Sequence, residues 1–306
     1  MFSALPDSVS ICEVSPRDGL QNQPVIVSLD KKLELIDALV ASGLRRIEAT
    51  SFVSPKWIPQ LADADALAKA LMARAASKTV QFSALCPNEQ GVERASRAGV
   101  TEIAVFMSAT ESHTQKNTNR STAEAFAIFA ELVPAAMKRG MRVRAYVSTV
   151  WGCPYEGEVK PAVAIAIAKQ LIDYGCYQVS LGDTIGVGTP KQTKEIVERA
   201  IGEIGAEKLA LHLHDTRGTA LANALVGLEL GVRGFDASVG GMGGCPYAPG
   251  AAGNLATEDL VYMLHGMGIS TGIDLEKLIV AGRVASRVVE SALPGKVHQA
   301  GLPRVM

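Results

Sequence analysis

The stretch Leu209-Ala210-Leu211-His212-Leu213-His214-Asp215 sets leucines against histidines at every second position of its centre. Side chains two residues apart in a strand share a face. Leu209, Leu211 and Leu213 therefore point one way, toward covering helices, while His212 and His214 point the other, into the interior of a sheet. Helical-period segments flank this strand on both sides, Lys191–Ile204 before it and Leu221–Leu230 after it. A strand set between two amphipathic helices is the unit of a parallel sheet.

Working outward, the same alternation runs from one end of the chain to the other. The spacing predicts strands over Val9–Val14, Arg46–Thr50, Gln81–Leu85, Glu102–Met107, Arg142–Thr149, Gln178–Gly182, Leu209–His214 and Gly234–Val239. Helices are expected over segments such as Asp30–Ala41, Trp57–Ala75, Thr122–Arg139, Ala162–Tyr174 and Leu255–His265, where apolar residues recur every three or four positions. Ser28 or Asp30 can cap the first of these, Ser121 with Glu124 reads as a capping box, and Thr189-Pro190 as a cap followed by proline. Gly43, Gly99, Gly140, Gly175 and Gly231 each fall just past a helical segment, where a left-handed residue is wanted.

Eight strand–helix units at intervals of roughly thirty residues leave an open doubly wound sheet or a closed barrel. No G-x-G-x-x-G follows the first strand, and eight repeats favour closure. The expectation is an α/β fold, a TIM (β/α)8 barrel over about 9–267 with an extra C-terminal helical segment in 268–306. That segment runs from Asp274 to Leu293, and the tail from Pro294 is expected to be loosely held. One barrel domain is expected to use all of 1–306.

Composition agrees. Of 306 residues, 48% are apolar and 20% charged, enough for a sizeable core, and the net charge of −1 with no basic block argues against nucleic acid. Five widely spaced cysteines do not form a disulfide framework and fit a reducing compartment. The longest apolar run is too short for a membrane span, and Met1–Asp7 has neither a charged n-region nor a transit-peptide composition. A cytoplasmic protein without a membrane partner is expected.

Barrels carry their chemistry at the C-terminal ends of the strands. The first strand ends in Ser15-Pro16-Arg17-Asp18-Gly19, which reads either as a common Asp-Gly turn or as a carboxylate and a permanent cation aimed into the barrel mouth. On the seventh strand, His212 and His214 either converge on one metal ion or form a buried, hydrogen-bonded neutral pair; five histidines in the whole chain tilt the reading toward ligands. The eighth strand runs into a loop, Gly240 to Asn254, dense in glycine and carrying Cys245 at its tip, where a thiol is better explained by chemistry than by packing. Glu48 lies inside an apolar strand and Asp183 follows Ser180-Leu181-Gly182. A mouth holding Asp18, Glu48, Asp183 and two histidines calls for positive charge, which a divalent cation supplies.

Arg17-Asp18-Gly19-Leu20-Gln21-Asn22, Glu48 through Trp57, Gly182-Asp183-Thr184-Ile185-Gly186, His212-Leu213-His214-Asp215-Thr216 and Gly243-Gly244-Cys245-Pro246-Tyr247 through Asp259 resemble the 3-hydroxy-3-methylglutaryl-CoA lyase family, in register from the first strand past the eighth helix. The resemblance implies a metal-dependent carbon–carbon lyase acting on an acyl-CoA. It implies Asp18, His212, His214 and Asn254 as ligands of Mg²⁺ or Mn²⁺, Cys245 as catalytic thiol and Arg17 as stabiliser of an enolate. Asp18 or His212 would be the base, with Glu48 and Asp183 ordering the substrate side of the mouth. It also implies a homodimer. Gln23-Pro24 departs from the charged residues common in that family. Rival readings are a Claisen-type synthase joining acetyl-CoA to a 2-oxo acid, a barrel that binds a metal or CoA ester without turnover, and a lyase for a longer branched 3-hydroxyglutaryl-CoA. Leu20 and the early end of the chain argue against the synthase.

Overall fold

Eight short β-branched and leucine-rich runs pair with their sequence neighbours, all parallel, and the last returns to the first. In the computed structural model, which describes residues 5–243 and 253–303, these are β1 (Ser10–Glu13), β2 (Arg46–Ser51), β3 (Gln81–Leu85), β4 (Glu102–Ser108), β5 (Arg142–Ser148), β6 (Gln178–Asp183), β7 (Leu209–Leu213) and β8 (Gly234–Ala237). Closure is made by β1 against β8, from Ser10 opposite Gly234 to Glu13 opposite Ala237. The expected TIM barrel is the fold observed.

Around it lie α1 (Leu29–Ala41), α2 (Ala64–Met72), α3 (Glu89–Arg97), α4 (Glu111–Thr118), α5 (Thr122–Lys138), α6 (Pro161–Asp173), α7 (Pro190–Ile204), α8 (Ala220–Glu229), α9 (Thr257–Gly266), α10 (Leu275–Val289) and α11 (Lys296–Ala300). Their starts follow local chemistry. Ser28 Oγ accepts from Lys31 N at α1, Ser121 and Glu124 form the capping box of α5, and Thr189 and Gln192 that of α7 with Pro190 at its first position. The leucines of β7 face outward as the alternation requires. Leu211 lies so close to α8 that a β-carbon at Gly227 would strike its side chain.

Three segments differ from expectation. The predicted Trp57–Ala75 helix is confined to α2, because Pro59 sits in a separate short turn over Pro59–Leu61. Between β3 and α5 stand α3 and α4, polar helices that bury only Gly91, Val92 and Ala95, and His113 and Thr114, too few apolar positions to stand out as covering helices. Just beyond Pro294 the described part of the tail is tied down: Asp259 accepts from the backbone amides of Lys296 and Val297 at 2.9 and 2.6 Å, fixing the start of α11. Among the described residues no helix is long and apolar enough to cross a membrane.

Candidate active site

The segment after β1 is not a simple Asp-Gly turn. The amides of Arg17, Asp18 and Gly19 all aim at the carbonyl of Val14, at 3.1, 2.8 and 3.2 Å, winding Ser15–Gly19 into a π-turn. Such wide turns are rare and gather at functional sites. This one is held from below by Glu13, whose carboxylate accepts from Ser15 N, Val239 N and Thr257 Oγ1 at 3.0, 2.9 and 2.7 Å. Glu13 thereby locks the ends of β1 and β8 together beneath the mouth.

From this turn Asp18 reaches the histidines of β7. His212 Nε2 lies 3.3 Å from His214 Nε2 and 3.9 Å from Asp18 Oδ2. One ligand atom from each of the three residues falls within 4.8 Å of the others. Asn254, bridged to His214 through the backbone, donates Nδ2 to Asp18 Oδ2 at 2.8 Å and to Met242 O at 3.2 Å.

Charge states follow from the surroundings. Burial pushes the Asp18 carboxyl up, but Arg17 and the two imidazoles outweigh it and bring it down to about 2. Burial brings His214 down to about 4, so at neutral pH its ring carries no charge. Two imidazole nitrogens and a carboxylate oxygen facing one small space are mutually repulsive acceptors unless a proton or a cation lies among them. This donor set fits a divalent cation, and the buried Nδ1 atoms of both rings, without hydrogen-bond partners among the described residues, leave the Nε2 atoms as the ones turned inward.

The second half of the site is a ring of buried polar groups. Arg17 pairs through Nε with Glu48 and through Nη1 with Asp18 Oδ1, the latter at 2.6 Å. Its guanidinium centre lies 5.5 Å from the Tyr146 ring. Burial opposes the charge, yet Glu48 and Asp18 raise Arg17 above the usual guanidinium range. Tyr146 OH donates to Glu48 Oε2 at 3.0 Å and accepts from Arg144 Nη1 at 3.0 Å. Arg144 in turn donates to Asp236 Oδ1 at 2.6 Å. Arg17, Asp18, Tyr146, His212 and His214 line one cavity of about 460 Å³ that opens upward past Trp57 and Arg120.

Glu48 and Asp183 occupy different roles from one another. Each is only 1% exposed and neither lines the cavity. Glu48 grips Arg17, whereas Asp183 accepts from Val187 N and Gly188 N at 3.0 and 2.8 Å and shapes the loop after β6. Cys245 lies outside the described residues. Arg144, Tyr146 and Asp236 were not singled out from sequence. The signal was present, because Arg144 and Asp236 are charges inside apolar strands, the pattern that marked Glu48.

Comparison with known proteins agrees with this geometry. The HMGL-like family model matches residues 8–285. A mouse protein named hydroxymethylglutaryl-CoA lyase, mitochondrial, is 50% identical over 98% of this chain and 91% of its own length. The zebrafish 3-hydroxy-3-methylglutaryl-CoA lyase, cytoplasmic, is 50% identical over 97% of this chain and 88% of its own. The crystal structure of an HMG-CoA lyase from Acinetobacter baumannii, in complex with coenzyme A and 3-methylmalate, superimposes with a TM-score of 0.92 at 39% identity, covering 99% of this chain and 98% of that one. A closed parallel barrel, a carboxylate–imidazole cluster at its mouth and a match over nearly the full length lead to one conclusion: the chain belongs to the HMGL-like family.

Proposed function

We propose that this chain is a hydroxymethylglutaryl-CoA lyase, cleaving 3-hydroxy-3-methylglutaryl-CoA to acetyl-CoA and acetoacetate in a retro-Claisen reaction. The observation that carries it is the meeting of Arg17 and Asp18 from the start of the chain with His212 and His214 at one cavity floor, in a chain half-identical to a lyase of that name. The cleavage must remove a proton from a tertiary hydroxyl and stabilise the thioester enolate that departs.

A divalent cation held by Asp18, His212 and His214 would lower the pKa of that hydroxyl and fix substrate oxygens. Asn254 would join the set once its amide turns to present Oδ1 in place of Nδ2, and a mixed nitrogen and oxygen set with room for substrate oxygens suits Mg²⁺ or Mn²⁺. Asp18 already accepts from Arg17, Gln21 and Asn254, at 2.6, 3.0 and 2.8 Å. Asp18, or His212 where its Nε2 is not engaged by the cation, would take the hydroxyl proton. Arg17, held by Glu48 on the side away from the cavity, would sit against the enolate oxygen. Cys245 would return a proton to the enolate carbon. Asp183 would act through its loop.

The coenzyme A in the Acinetobacter relative supports an acyl-CoA ligand here. A homodimer and a cytoplasmic location belong to the same proposal. The test is release of acetoacetate from 3-hydroxy-3-methylglutaryl-CoA, before and after exhaustive chelation and again with Mg²⁺ or Mn²⁺ restored. Undiminished turnover in metal-stripped protein would overturn the cation's part, and release of a different product would overturn the reaction. Cys245→Ala is expected to bind Mn²⁺ as the parent does while losing most of its turnover. Near-normal turnover in that variant would remove the thiol from the scheme.

A further inference from the structure

Asp236 is a fully buried charge of the barrel interior, and the scheme above gives it nothing to do. It lies on β8 directly opposite His212 in the register of β7 and β8, and its side chain is 0% exposed. Two groups hold it from behind: Arg144 Nη2 donates to Oδ1 at 2.6 Å and Ser180 Oγ to Oδ2 at 2.7 Å. That clamp fixes both oxygens. In front of Oδ2, at 3.4 Å, stands Nδ1 of His212. This nitrogen is buried and has no well-aligned hydrogen bond among the described residues, while Nε2 of the same ring faces Asp18 and His214. A small rotation of the imidazole brings Nδ1 to the usual length of about 2.9 Å.

We propose that Asp236 is the positioning residue of the cation site: it accepts the Nδ1 proton of His212 and so dedicates Nε2, unprotonated, to the cation. Neutral imidazole carries its proton on either nitrogen, and the wrong tautomer presents an N–H where a lone pair is needed. A fixed carboxylate behind the ring settles the choice, orients the ring and raises its basicity. Arg144 and Ser180 matter here because they prevent the carboxylate from turning away. His214 differs, since its Nδ1 is buried with no partner among the described residues. The two ligands are therefore unequal, and His212 is the one whose ligating nitrogen is fixed by an outer carboxylate.

The inference rests on the proposed cation site, so the test measures binding separately from turnover. Apo-protein is titrated with Mn²⁺, followed by electron paramagnetic resonance, for the parent, Asp236→Asn, His212→Ala and the double variant. Loss of an outer partner of this kind weakens metal binding by about 10–100-fold. Asp236→Asn should show that loss, and the double variant should bind no more weakly than His212→Ala alone, because both changes remove one interaction. Nitrogen-15 spectra of the histidine rings in the apo-protein should show His212 moving from the Nδ1–H to the Nε2–H tautomer in Asp236→Asn.

Arg144→Gln separates positioning from bulk structure. It breaks the same ion pair, but Ser180 still holds Oδ2 toward His212, so its effect on Mn²⁺ affinity should be well below that of Asp236→Asn. If Asp236→Asn alone does not fold, Asp236→Asn with Arg144→Met removes both charges, and the same readings apply. The proposal is overturned by parent-like Mn²⁺ affinity in the folded Asp236 variant, by losses that add to those of His212→Ala, or by an unchanged tautomer. Parent protein that fails to bind Mn²⁺ refutes the cation site itself. Parent-like binding in His212→Ala shows that Asp236 stands behind a residue that is not a ligand.

Discussion

Glutamine in place of Arg17 is expected to lower kcat by about 10²–10³-fold, the usual consequence of removing one preorganised donor from a developing oxyanion, with KM moving far less. The guanidinium is fixed before substrate arrives: Glu48 grips Nε, Asp18 takes Nη1, and the Tyr146 ring lies beside its plane. Groups so held need no reorganisation as charge develops on the thioester oxygen. The change also leaves Glu48, 1% exposed, without its cation. Breaking a buried pair from one side costs about 3–5 kcal/mol of stability, although Tyr146 continues to donate to Glu48 at 3.0 Å and limits the damage. Stability and catalysis can be separated by adding Glu48→Gln. The double variant should recover much of the lost thermal stability and none of the lost turnover. If either folded variant retained kcat within about threefold of the parent, far short of the loss cited above, Arg17 would not be the enolate's counter-charge.

How far the chain could be read in advance differed by element. The barrel was legible because its signals are local: alternation at β7, capping boxes at Ser121 and Thr189, and glycines past helix ends that adopt positive φ, as at Gly99 and Gly231. The histidine pair was legible for the same reason, since period two puts His212 and His214 on one face. What strands carry across the barrel was not. Arg144, Tyr146 and Asp236 meet only because β5 and β8 curve to opposite sides of a common interior, and no spacing within one strand predicts a contact 92 residues away, such as Arg144 with Asp236. Glu48 and Asp183 were picked out by one rule, charge in an apolar run. Their partners then diverged, Glu48 toward Arg17 and Asp183 toward its own loop amides. The π-turn at Ser15–Gly19 stayed hidden because Asp-Gly is so common in ordinary turns.

Truncating His214 should weaken Mn²⁺ binding by about 100-fold or more if it is the direct ligand proposed above, since loss of an outer partner already reaches that range. The substitution is unusually clean. His214 is buried, and burial brings its pKa down to about 4, so His214→Ala strands no charge in the interior. Its Nδ1 has no hydrogen-bond partner to orphan among the described residues. Asp18→Ala lacks that virtue, because it also releases Arg17 Nη1 and the Asn254 amide, and its phenotype would mix metal loss with a displaced cation. The Arg17 and His214 variants therefore separate by rescue. Raising Mn²⁺ should refill the weakened site and return part of the turnover of His214→Ala, while no concentration of metal should help Arg17→Gln, whose defect lies in charge stabilisation. A Mn²⁺ titration of His214→Ala that superimposes on the parent's would mean that the two imidazoles, though 3.3 Å apart, are a packed neutral pair with no shared ion.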